Sequence, residues 1–351
     1  MDKQNSQNHN GFKAFLERKN IEISFQRYLI DALSYMALGL FATLITGVIF
    51  RTIGERLHIP YFVDVIGANA VAVSGPGIAV AVALGLKSPP LVTFASVING
   101  IVGYSLGGPV GAFLAAVVGA EFGKAVSKET PVDIVVTPAV TAIFGTIVGT
   151  LVGPGINEFM IGLGAIIMRA TELQPIPMGM LVAAIMGITL TLPISSTAIG
   201  IMIGISGLAS GASVVGCCAH TVGFGIQSYR ENGFSGLISQ SLGSPMIQIG
   251  NIVKKPILMV PPTITAIILG PLVTTIFKME SATVAAATGT SGLVSPLGVL
   301  AGMTQAGYPA GEIWLKIIIF CFVAPAALTW IISEIFRKVG WIKEGDLKLD
   351  I

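Results

Sequence analysis

Residues 29–50 read LIDALSYMALGLFATLITGVIF, a stretch in which Asp31 is the only charged residue. Because a helix that crosses a bilayer needs about 20 predominantly apolar residues, this stretch predicts a membrane-spanning helix. A second such span covers residues 314–335. Ten further apolar runs lie between them: 63–86, 88–106, 108–126, 132–153, 155–171, 177–208, 210–228, 233–253, 256–277 and 282–306. We therefore expect an all-α polytopic membrane protein with about 10–12 transmembrane or re-entrant helices.

The composition indicates a chain surrounded by lipid. Hydrophobic residues make up 53% of the 351 residues and charged residues 11%, whereas an ordinary soluble domain has about 25% charged residues. Of the 38 charged residues, only 22 fall within residues 29–333, which is too few for a water-facing surface. The net charge is +2 and the basic residues form no extended patch. We therefore expect no nucleic-acid binding.

Signatures of soluble catalysis are absent from the sequence. It contains neither a Gly-x-x-x-x-Gly-Lys phosphate loop nor a His-Glu-x-x-His zinc motif. The three cysteines, Cys217, Cys218 and Cys321, have no zinc-type spacing. Adjacent residues on a helix point about 100° apart, so the first two cannot easily share a tetrahedral ion. We expect no catalytic residue, metal or cofactor in this chain.

An internal repeat predicts the architecture. Three motifs occur twice in the same order: GLKS at 85–88 and GLAS at 207–210, SLGGP at 105–109 and SLGSP at 241–245, VTPAVTAI at 136–143 and VPPTITAI at 260–267. Such collinear matches predict a duplicated unit, residues 63–172 and 185–306. Each unit holds five apolar elements, and an odd number makes the second copy enter the membrane from the opposite side, which gives an inverted repeat.

The flanking segments complete the predicted organisation. Residues 11–28 mix apolar and basic side chains and predict an amphipathic helix on the cytoplasmic leaflet, with a solvated tail as the alternative. The predicted parts are a cytoplasmic tail with the amphipathic helix (1–28), the first transmembrane helix (29–53), the repeat units 63–172 and 185–306, the last transmembrane helix (313–336) and a cytoplasmic tail (337–351).

Basic residues favour an orientation with both termini in the cytoplasm, because cytoplasmic loops are enriched in Lys and Arg. With twelve crossings, most basic residues near the span ends then lie inside. Those that agree with the orientation are Lys87, Lys124, Lys128, Arg169, Arg230 and Lys278; those that fall outside and disagree are Arg51, Arg56, Lys254, Lys255 and Lys316.

Gly, Ser and Pro interrupt the apolar runs at five places, which are 74–77, 105–109, 193–197, 241–245 and 288–296. Irregular backbone survives in a membrane where it lines a polar cavity, and inverted repeats place a solute site at the midplane between copies. The alternative is that these residues only permit tight packing and kinks. We expect that these breaks line a cavity and that the cavity binds a small polar solute.

Polar side chains inside the apolar runs are the candidates for solute binding, since amides and hydroxyls suit a neutral polyhydroxylated solute. The candidates are Asn69, Ser74, Asn99, Glu121, Ser195, Ser196, His220, Gln240, Asn251, Thr290 and Ser291. His220 can carry a proton, bind a hydroxyl or gate a path, but a hydrogen bond to a neighbouring helix explains it equally well. Glu121 can bind a hydroxyl or a coupling proton, or it can form an ion pair with Lys124 one turn away.

The Gly/Ser/Pro-broken runs, the stretch GTSGLV at 289–294 and the segment SGPG at 74–77 resemble the EIIC family of the bacterial sugar phosphotransferase system. The similarity is greatest to its second-type branch, which includes proteins similar to the perfringolysin O regulator. The resemblance implies a homodimeric permease of the inner membrane that passes a sugar inward while an EIIB partner supplies the phosphoryl group. The short flanks leave no room for a fused EIIA or EIIB domain, so separate proteins are expected.

Two other functions fit the same pattern. One is an ion- or proton-coupled secondary transporter of a small organic anion, which the N-termini of half-helices would attract. The other is a membrane sensor that influences gene expression through a partner docked on the basic N-terminal tail.

Overall fold

The computed structural model describes residues 13–349 and contains helices but no strand within that range. Six of its helices are long and apolar enough to cross a membrane, and the bent pair Tyr61–Ala72 and Ser74–Gly85 makes a seventh if it is one span. The all-α polytopic membrane fold predicted from the sequence is therefore confirmed. The main helices are α1 (Gln26–Glu55), α2 (Tyr61–Ala72), α3 (Ser74–Gly85), α4 (Pro90–Val126), α5 (Asp133–Thr171), α6 (Pro175–Thr191), α7 (Ser196–Met202), α8 (Gly207–Gln227), α9 (Tyr229–Ile238), α10 (Ile249–Lys254), α11 (Pro256–Thr275), α12 (Val294–Gln305) and α13 (Ala310–Lys338).

The predicted interruptions at 74–77, 105–109, 193–197, 241–245 and 288–296 all coincide with irregular or bent backbone. Helices α2 and α3 meet at an angle of 47°, and the chain leaves the helix between α6 and α7. Among residues 13–28 of the predicted amphipathic segment, residues 13–18 form a short helix, residues 21–24 are not helical, and residues 25–28 are helical and lead into α1. The left-handed Asn20 (φ 54°) follows this short helix and ends it, as a C-terminal residue of this conformation commonly does.

The chain folds as two compact units. The N-terminal unit comprises Met1–Leu40 and Val73–Asn157, and the C-terminal unit comprises Phe41–Ala72 and Glu158–Ile351. Long helices α1 and α5 contribute residues to both units.

In the N-terminal unit, α4 is a hairpin of two helical limbs. Gly107 (φ −142°, ψ 18°) and Gly108 (φ 59°, ψ −151°) are not helical, and the conformation of Gly108 is accessible essentially only to glycine. On either side of this turn, Gly103 and Gly111 face each other so closely that a Cβ on either would collide with the carbonyl of the other. The runs predicted at 88–106 and 108–126 are thus two antiparallel limbs that begin and end at the same face, where Lys124 Nζ donates to the Leu86 carbonyl.

Helix α5 packs beside both limbs and runs parallel to the first. Gly145, Gly149 and Gly153 of α5 approach Asn99, Gly103 and Leu106 in turn. Small residues allow such close helix packing, which replaces the hydrophobic effect as the source of association in lipid.

In the C-terminal unit, α8 is the central helix. Of its most apolar 18-residue window, 94% is buried, against 22% for α5, so protein rather than lipid surrounds it. Helix α11 runs antiparallel to α8, because Gln227 Nε2 donates to the Leu258 carbonyl while Gly223 contacts Pro262 further along. In the N-terminal unit, α5 runs parallel to the first limb of α4, whereas in the C-terminal unit α11 runs antiparallel to α8. The duplication of the sequence motifs therefore does not extend to this feature of the topology.

Residues 229–254 form a re-entrant segment of the C-terminal unit, named here the first hairpin. Near its start, Asn232 Nδ2 donates to the Leu347 carbonyl (2.8 Å), and near its end Asn251 Nδ2 donates to the Lys348 carbonyl (2.9 Å). Because both ends contact the C-terminal tail, the chain enters and leaves by the same face. The prediction that Lys255 lies opposite the tail is wrong, since its ammonium is 2.6 Å from the Asp346 carboxylate.

Residues 276–306 form a second re-entrant segment, named here the second hairpin. Its limbs pair where the Ala282 amide donates to the Gly298 carbonyl (3.1 Å). It lies between α11, which starts at the face of the C-terminal tail, and α13, which ends there. The second hairpin therefore enters from the opposite face to the first hairpin. Its tip is the non-helical stretch 286–290 followed by the single 3-10 turn Ser291–Leu293.

Candidate functional site

The tip of the second hairpin is buried, irregular backbone whose carbonyls are satisfied by serine hydroxyls. Ser213 of α8 donates to Ala286 O (2.6 Å), Ser196 of α7 donates to Ala287 O (2.8 Å), and Ser295 donates to Ala285 O. A carbonyl without a partner costs several kcal/mol in a low-dielectric setting, and within a membrane such backbone must be enclosed by protein or line a cavity. These hydroxyls therefore hold the tip in place.

The tips of the two hairpins meet at Ser241 and Thr290. The Thr290 hydroxyl donates to the Ser241 carbonyl and lies 2.7 Å from the hydroxyl oxygen of Thr221 on α8. The meeting point thus combines side chains from α8 and from both re-entrant segments. Its polar atoms are neutral hydroxyls and carbonyls.

Two hydroxyls at this meeting point have no hydrogen-bond partner among the described residues. They are Ser241 Oγ and Ser291 Oγ, and the two residues are only 8% and 1% exposed. Leaving a buried donor unpaired costs about 1–3 kcal/mol, and such groups in native proteins commonly have a water or ligand partner. The arrangement supplies hydrogen bonds to a molecule that can both donate and accept them.

His220, one position before Thr221 on α8, links three helices through hydrogen bonds. Its Nδ1 lies 2.6 Å from Thr191 Oγ1 at the end of α6, and its Nε2 lies 3.3 Å from Thr263 Oγ1 on α11. The Thr263 hydroxyl also donates to Met259 O (2.7 Å), and the Thr191 hydroxyl also donates to Gly187 O (3.1 Å). Both threonine hydroxyls thus have a backbone acceptor, and either ring nitrogen can carry the proton.

Gln240 and Asn251 lie in a chain of amides within the first hairpin. Gln240 Oε1 accepts from Gln248 Nε2 (3.1 Å), and Gln248 Oε1 accepts from Asn251 Nδ2 (2.7 Å). Gln240 also donates to Ser228 Oγ (2.7 Å). Because Ser241 follows Gln240 directly, this chain connects the C-terminal tail to the meeting point of the hairpins.

Three predicted residues belong to the N-terminal unit. Asn99 is fully buried; its Nδ2 donates to Thr141 O on α5 (3.1 Å), while its Oδ1 has no partner among the described residues. Ser74 is buried at the start of α3. Glu121 lies 2.8 Å from Lys124, in the ion pair that the sequence offered as the alternative to solute binding.

The remaining predicted residues lie in the C-terminal unit. Asn69 is exposed on α2 and donates to Val65 O (2.7 Å). Ser195 is half-buried immediately before α7. The structure therefore collects Ser196, His220, Gln240, Thr290 and Ser291 around α8 and the hairpin tips, with Asn251 connected through Gln248.

Sequence reasoning missed Ser241, Thr221 and Ser213 as site residues. Ser241 stands in the repeated SLGSP motif and Thr221 follows His220, so both carried a signal. Ser213 carried none, because α8 contains several small polar residues and only the fold brings this one to the tip of the second hairpin.

A pocket of about 400 Å³ opens elsewhere in the C-terminal unit. It contains none of the predicted site residues; its lining includes Met168, Thr171, Pro175, Ile203, Ser206 and Leu208. Its polar side chains are those of Thr171 and Ser206, neither of which is a buried hydroxyl without a partner. The hydroxyls at the hairpin tips have the more suitable chemistry, although they are enclosed.

Comparison with known proteins agrees with this architecture. No curated protein and no solved structure matches the chain. The profile of the family described as "Phosphotransferase system, EIIC" matches residues 30–349, which is nearly the whole chain and includes all the helices that build the hairpin site. This multi-pass membrane protein therefore belongs to the EIIC family of phosphotransferase-system permeases, which work with EIIB and EIIA components on a transported solute.

Proposed function

We propose that this EIIC protein transports a sugar or polyol and binds it where the two hairpins meet. The observation that carries the proposal is the pair of buried, unpartnered hydroxyls of Ser241 and Ser291, beside the Thr221–Thr290 pair. A hydroxylated solute both donates and accepts hydrogen bonds, so it satisfies such groups without introducing charge.

The absence of charge at the meeting point favours a neutral solute over an organic anion. The side chains described there are those of Thr221, Ser241, Thr290 and Ser291. An anion would need a compensating cation, because burial of an unpaired charge is far more costly than burial of a hydroxyl. Proton coupling through His220 is not required by this site, since the ring nitrogens both have hydroxyl partners.

Transport then requires movement of the hairpins, because the site is enclosed. The tip of the second hairpin contains Gly289 (φ 63°) and Gly292 (φ 55°), and glycine adopts this left-handed conformation at little cost. Opening from one face displaces the first hairpin, and opening from the other displaces the second. Alternating access by such gates is typical of transporters with discontinuous helices.

The test is solute binding by purified protein, measured as thermal stabilisation over a panel of sugars and polyols and as uptake into proteoliposomes. Ser241→Ala and Ser291→Ala should each weaken binding of the identified solute about tenfold, as expected for loss of a hydrogen bond in a buried site. Ser105→Ala is the matched control, because Ser105 occupies the same motif in the N-terminal unit, is exposed and donates to Val102 O.

Normal binding by the Ser241→Ala/Ser291→Ala double variant would overturn the site. Uptake that depends on a pH or sodium gradient, without EIIB, would favour the secondary-transporter alternative. Release of phosphorylated solute only when EIIB and EIIA are supplied would identify phosphorylation-coupled transport.

Further aspects of the assembly are proposals that rest on the sequence. We propose that the protein is a homodimer of a bacterial inner membrane, belongs to the branch similar to the perfringolysin O regulator, and has both termini in the cytoplasm. Cross-linking in membranes tests the dimer. Labelling of Lys338→Cys by a membrane-impermeant maleimide, from the cytoplasmic side only, is the expected result for the C-terminus.

The inverted arrangement of the duplicated segments is also a proposal, supported by the odd number of apolar elements that the sequence predicts for each unit. The proposal is that the helix after GLKS (85–88) and the helix after GLAS (207–210) cross the membrane in opposite directions. Cysteines introduced as Lys87→Cys and Ser206→Cys should then be labelled from opposite faces, and labelling from one face would contradict the inversion.

A further inference from the structure

A pocket of about 360 Å³ in the N-terminal unit is lined by five basic residues. They come from the segment before α1, the end of α3 and the end of α4, and they are Arg18, Lys19, Lys87, Lys124 and Lys128. Glu129 is the only acidic residue of the lining. None of these residues belongs to the hairpin site.

Three of the five cations are already paired. Lys124 binds Glu121 (2.8 Å) and donates to the carbonyls of Asn20 (3.0 Å) and Leu86 (3.1 Å). Arg18 lies 2.9 Å from Glu129, and Lys19 pairs with the same carboxylate. The hydrogen bond from Lys19 holds the pKa of Glu129 below its usual value, so this carboxylate remains charged and occupied.

Lys87 and Lys128 are the cations left over. Both side chains are exposed, and neither ammonium has an ion-pair or hydrogen-bond partner among residues 13–349. The nearby Asp133 carboxylate accepts from the Lys128 backbone amide (2.6 Å) and the Thr137 hydroxyl (2.6 Å) instead. The pocket therefore presents two ammonium groups that make no ion pair or hydrogen bond within residues 13–349. Of these, Lys128 still interacts electrostatically with Asp133.

The backbone around the pocket is fixed by local contacts. Lys87 (φ 56°), Lys128 (φ 61°) and Asn20 (φ 54°) are left-handed, and each follows the end of a helix, where this conformation is common. The Lys124 ammonium donates to the carbonyls of Asn20 and Leu86. The Lys128 amide donates to the Asp133 carboxylate.

The pocket lies where apolar helices end, next to side chains suited to lipid tails. Helix α3 ends at Gly85, α4 ends at Val126 and α5 begins at Asp133. Beside the lysines, Val132 and Ile134 are 58% and 74% exposed. Ile23 and Phe25, between Asn20 and α1, are also exposed. The basic groups of the pocket therefore lie next to apolar side chains that can face lipid.

We propose that this pocket binds the phosphate group of an anionic phospholipid, with Lys87 and Lys128 as its ligands and the neighbouring apolar side chains against the acyl chains. Basic pockets at the ends of membrane helices commonly bind such headgroups. Inorganic phosphate offers the same charge but no acyl chain, and the exposed apolar side chains favour the lipid.

The experiment measures lipid retention by the full-length protein in detergent, by native mass spectrometry, after exchange into phosphatidylglycerol or phosphatidylcholine. The wild type should retain phosphatidylglycerol preferentially. Lys87→Gln/Lys128→Gln should lower this retention at least about tenfold, since each lysine near an anionic lipid contributes substantially to binding. Glutamine keeps the length of the side chain and removes its charge.

Lys338→Gln is the matched control, because Lys338 is an exposed lysine at the end of α13 and should leave retention unchanged. Equal retention by the double variant and the wild type would overturn the proposal, as would an equal loss in the control. If millimolar inorganic phosphate displaced the retained lipid as effectively as added phosphatidylglycerol does, the lipid assignment would be overturned. Correct folding of the double variant is checked by its melting temperature, which should match that of the control.

Discussion

The motifs SLGGP and SLGSP have nearly the same sequence but fold differently. In the N-terminal unit, Ser105 is exposed and the following glycines form the turn of α4, so both limbs remain regular helices. In the C-terminal unit, Ser241 is buried at the tip of the first hairpin, and its carbonyl accepts from Thr290. Residues 228–240 separate α8 from the SLGSP motif and carry that motif into the middle of the unit, whereas SLGGP follows the first limb of α4 directly.

This contrast indicates that the N-terminal unit has a structural role and that the C-terminal unit carries the binding site. The N-terminal unit packs glycines against backbone at the turn of α4, whereas the C-terminal unit encloses irregular backbone held by hydroxyls. A buried polar residue joins helices in each unit: Asn99 through one hydrogen bond and His220 through two. The predictions below test how far this division holds.

The largest effect is expected from Gly103→Leu at the crossing of the α4 limbs. The side chain has no space, because a Cβ would already collide with the carbonyl of Gly111, and backbone cannot yield as a side chain can. We expect destabilisation of about 3 kcal/mol or more, seen as aggregation or a much lower melting temperature. Gly155→Leu is the control, since a Cβ there meets nothing within 4 Å.

His220→Ala should destabilise the protein more than Asn99→Ala. Removing the imidazole leaves a cavity and removes two hydrogen bonds between helices, at a cost of about 3 kcal/mol. Removing the Asn99 amide loses one hydrogen bond and an oxygen that is already unpaired, at a cost of about 1 kcal/mol. Melting temperatures of the two variants compare them directly, and the reverse order would contradict the contrast between the units.

Gly225→Ala should weaken solute binding with little loss of stability. The new Cβ would lie 2.5 Å from Ser241 Oγ, so this hydroxyl must turn away from the meeting point of the hairpins. We expect solute affinity to fall about fivefold, or about 1 kcal/mol, for the displaced hydrogen bond. Unchanged affinity in a titration would show that Ser241 Oγ is not a ligand.

The smallest effect concerns the C-terminal tail. Burial raises the pKa of Asp346, but hydrogen bonds from Lys255 and the Lys343 amide outweigh it and hold the pKa below its usual value. The folded state is therefore stabilised above the unfolded-state pKa of about 3.9, and this contribution is lost as the pH falls through the lower folded-state pKa. Asp346→Asn should remove less than about 1 kcal/mol at pH 7, and its difference from the wild type should vanish in acid; a difference that persists would contradict the ion pair.

The sequence alone was sufficient to predict the fold class and the helix breaks. Runs of apolar residues predict spans, and Gly-, Ser- and Pro-rich breaks predict interruptions, because both depend on local chemistry. The family resemblance was also correct at the level of EIIC. The direction of α11 could not be predicted, because it depends on whether residues 229–254 cross the membrane or return.

The site was only partly predictable for the same reason. His220, Thr290 and Ser291 stand out as polar residues in apolar runs, but their partners come from distant parts of the chain. Ser241 and Thr290 are 49 positions apart, and only the meeting of two hairpins from opposite faces brings them together. Asn69 looks equally polar in sequence, yet it lies exposed on α2 with a local backbone partner.

The most direct test of the central claim is an experimental structure of the protein bound to the solute that stabilises it. The account predicts solute density at the meeting point of the hairpins, with hydroxyls about 2.7–3 Å from Ser241 Oγ and Ser291 Oγ. Density in the pocket beside Met168 and Ile203, with both serine hydroxyls still enclosed and unpaired, would contradict it.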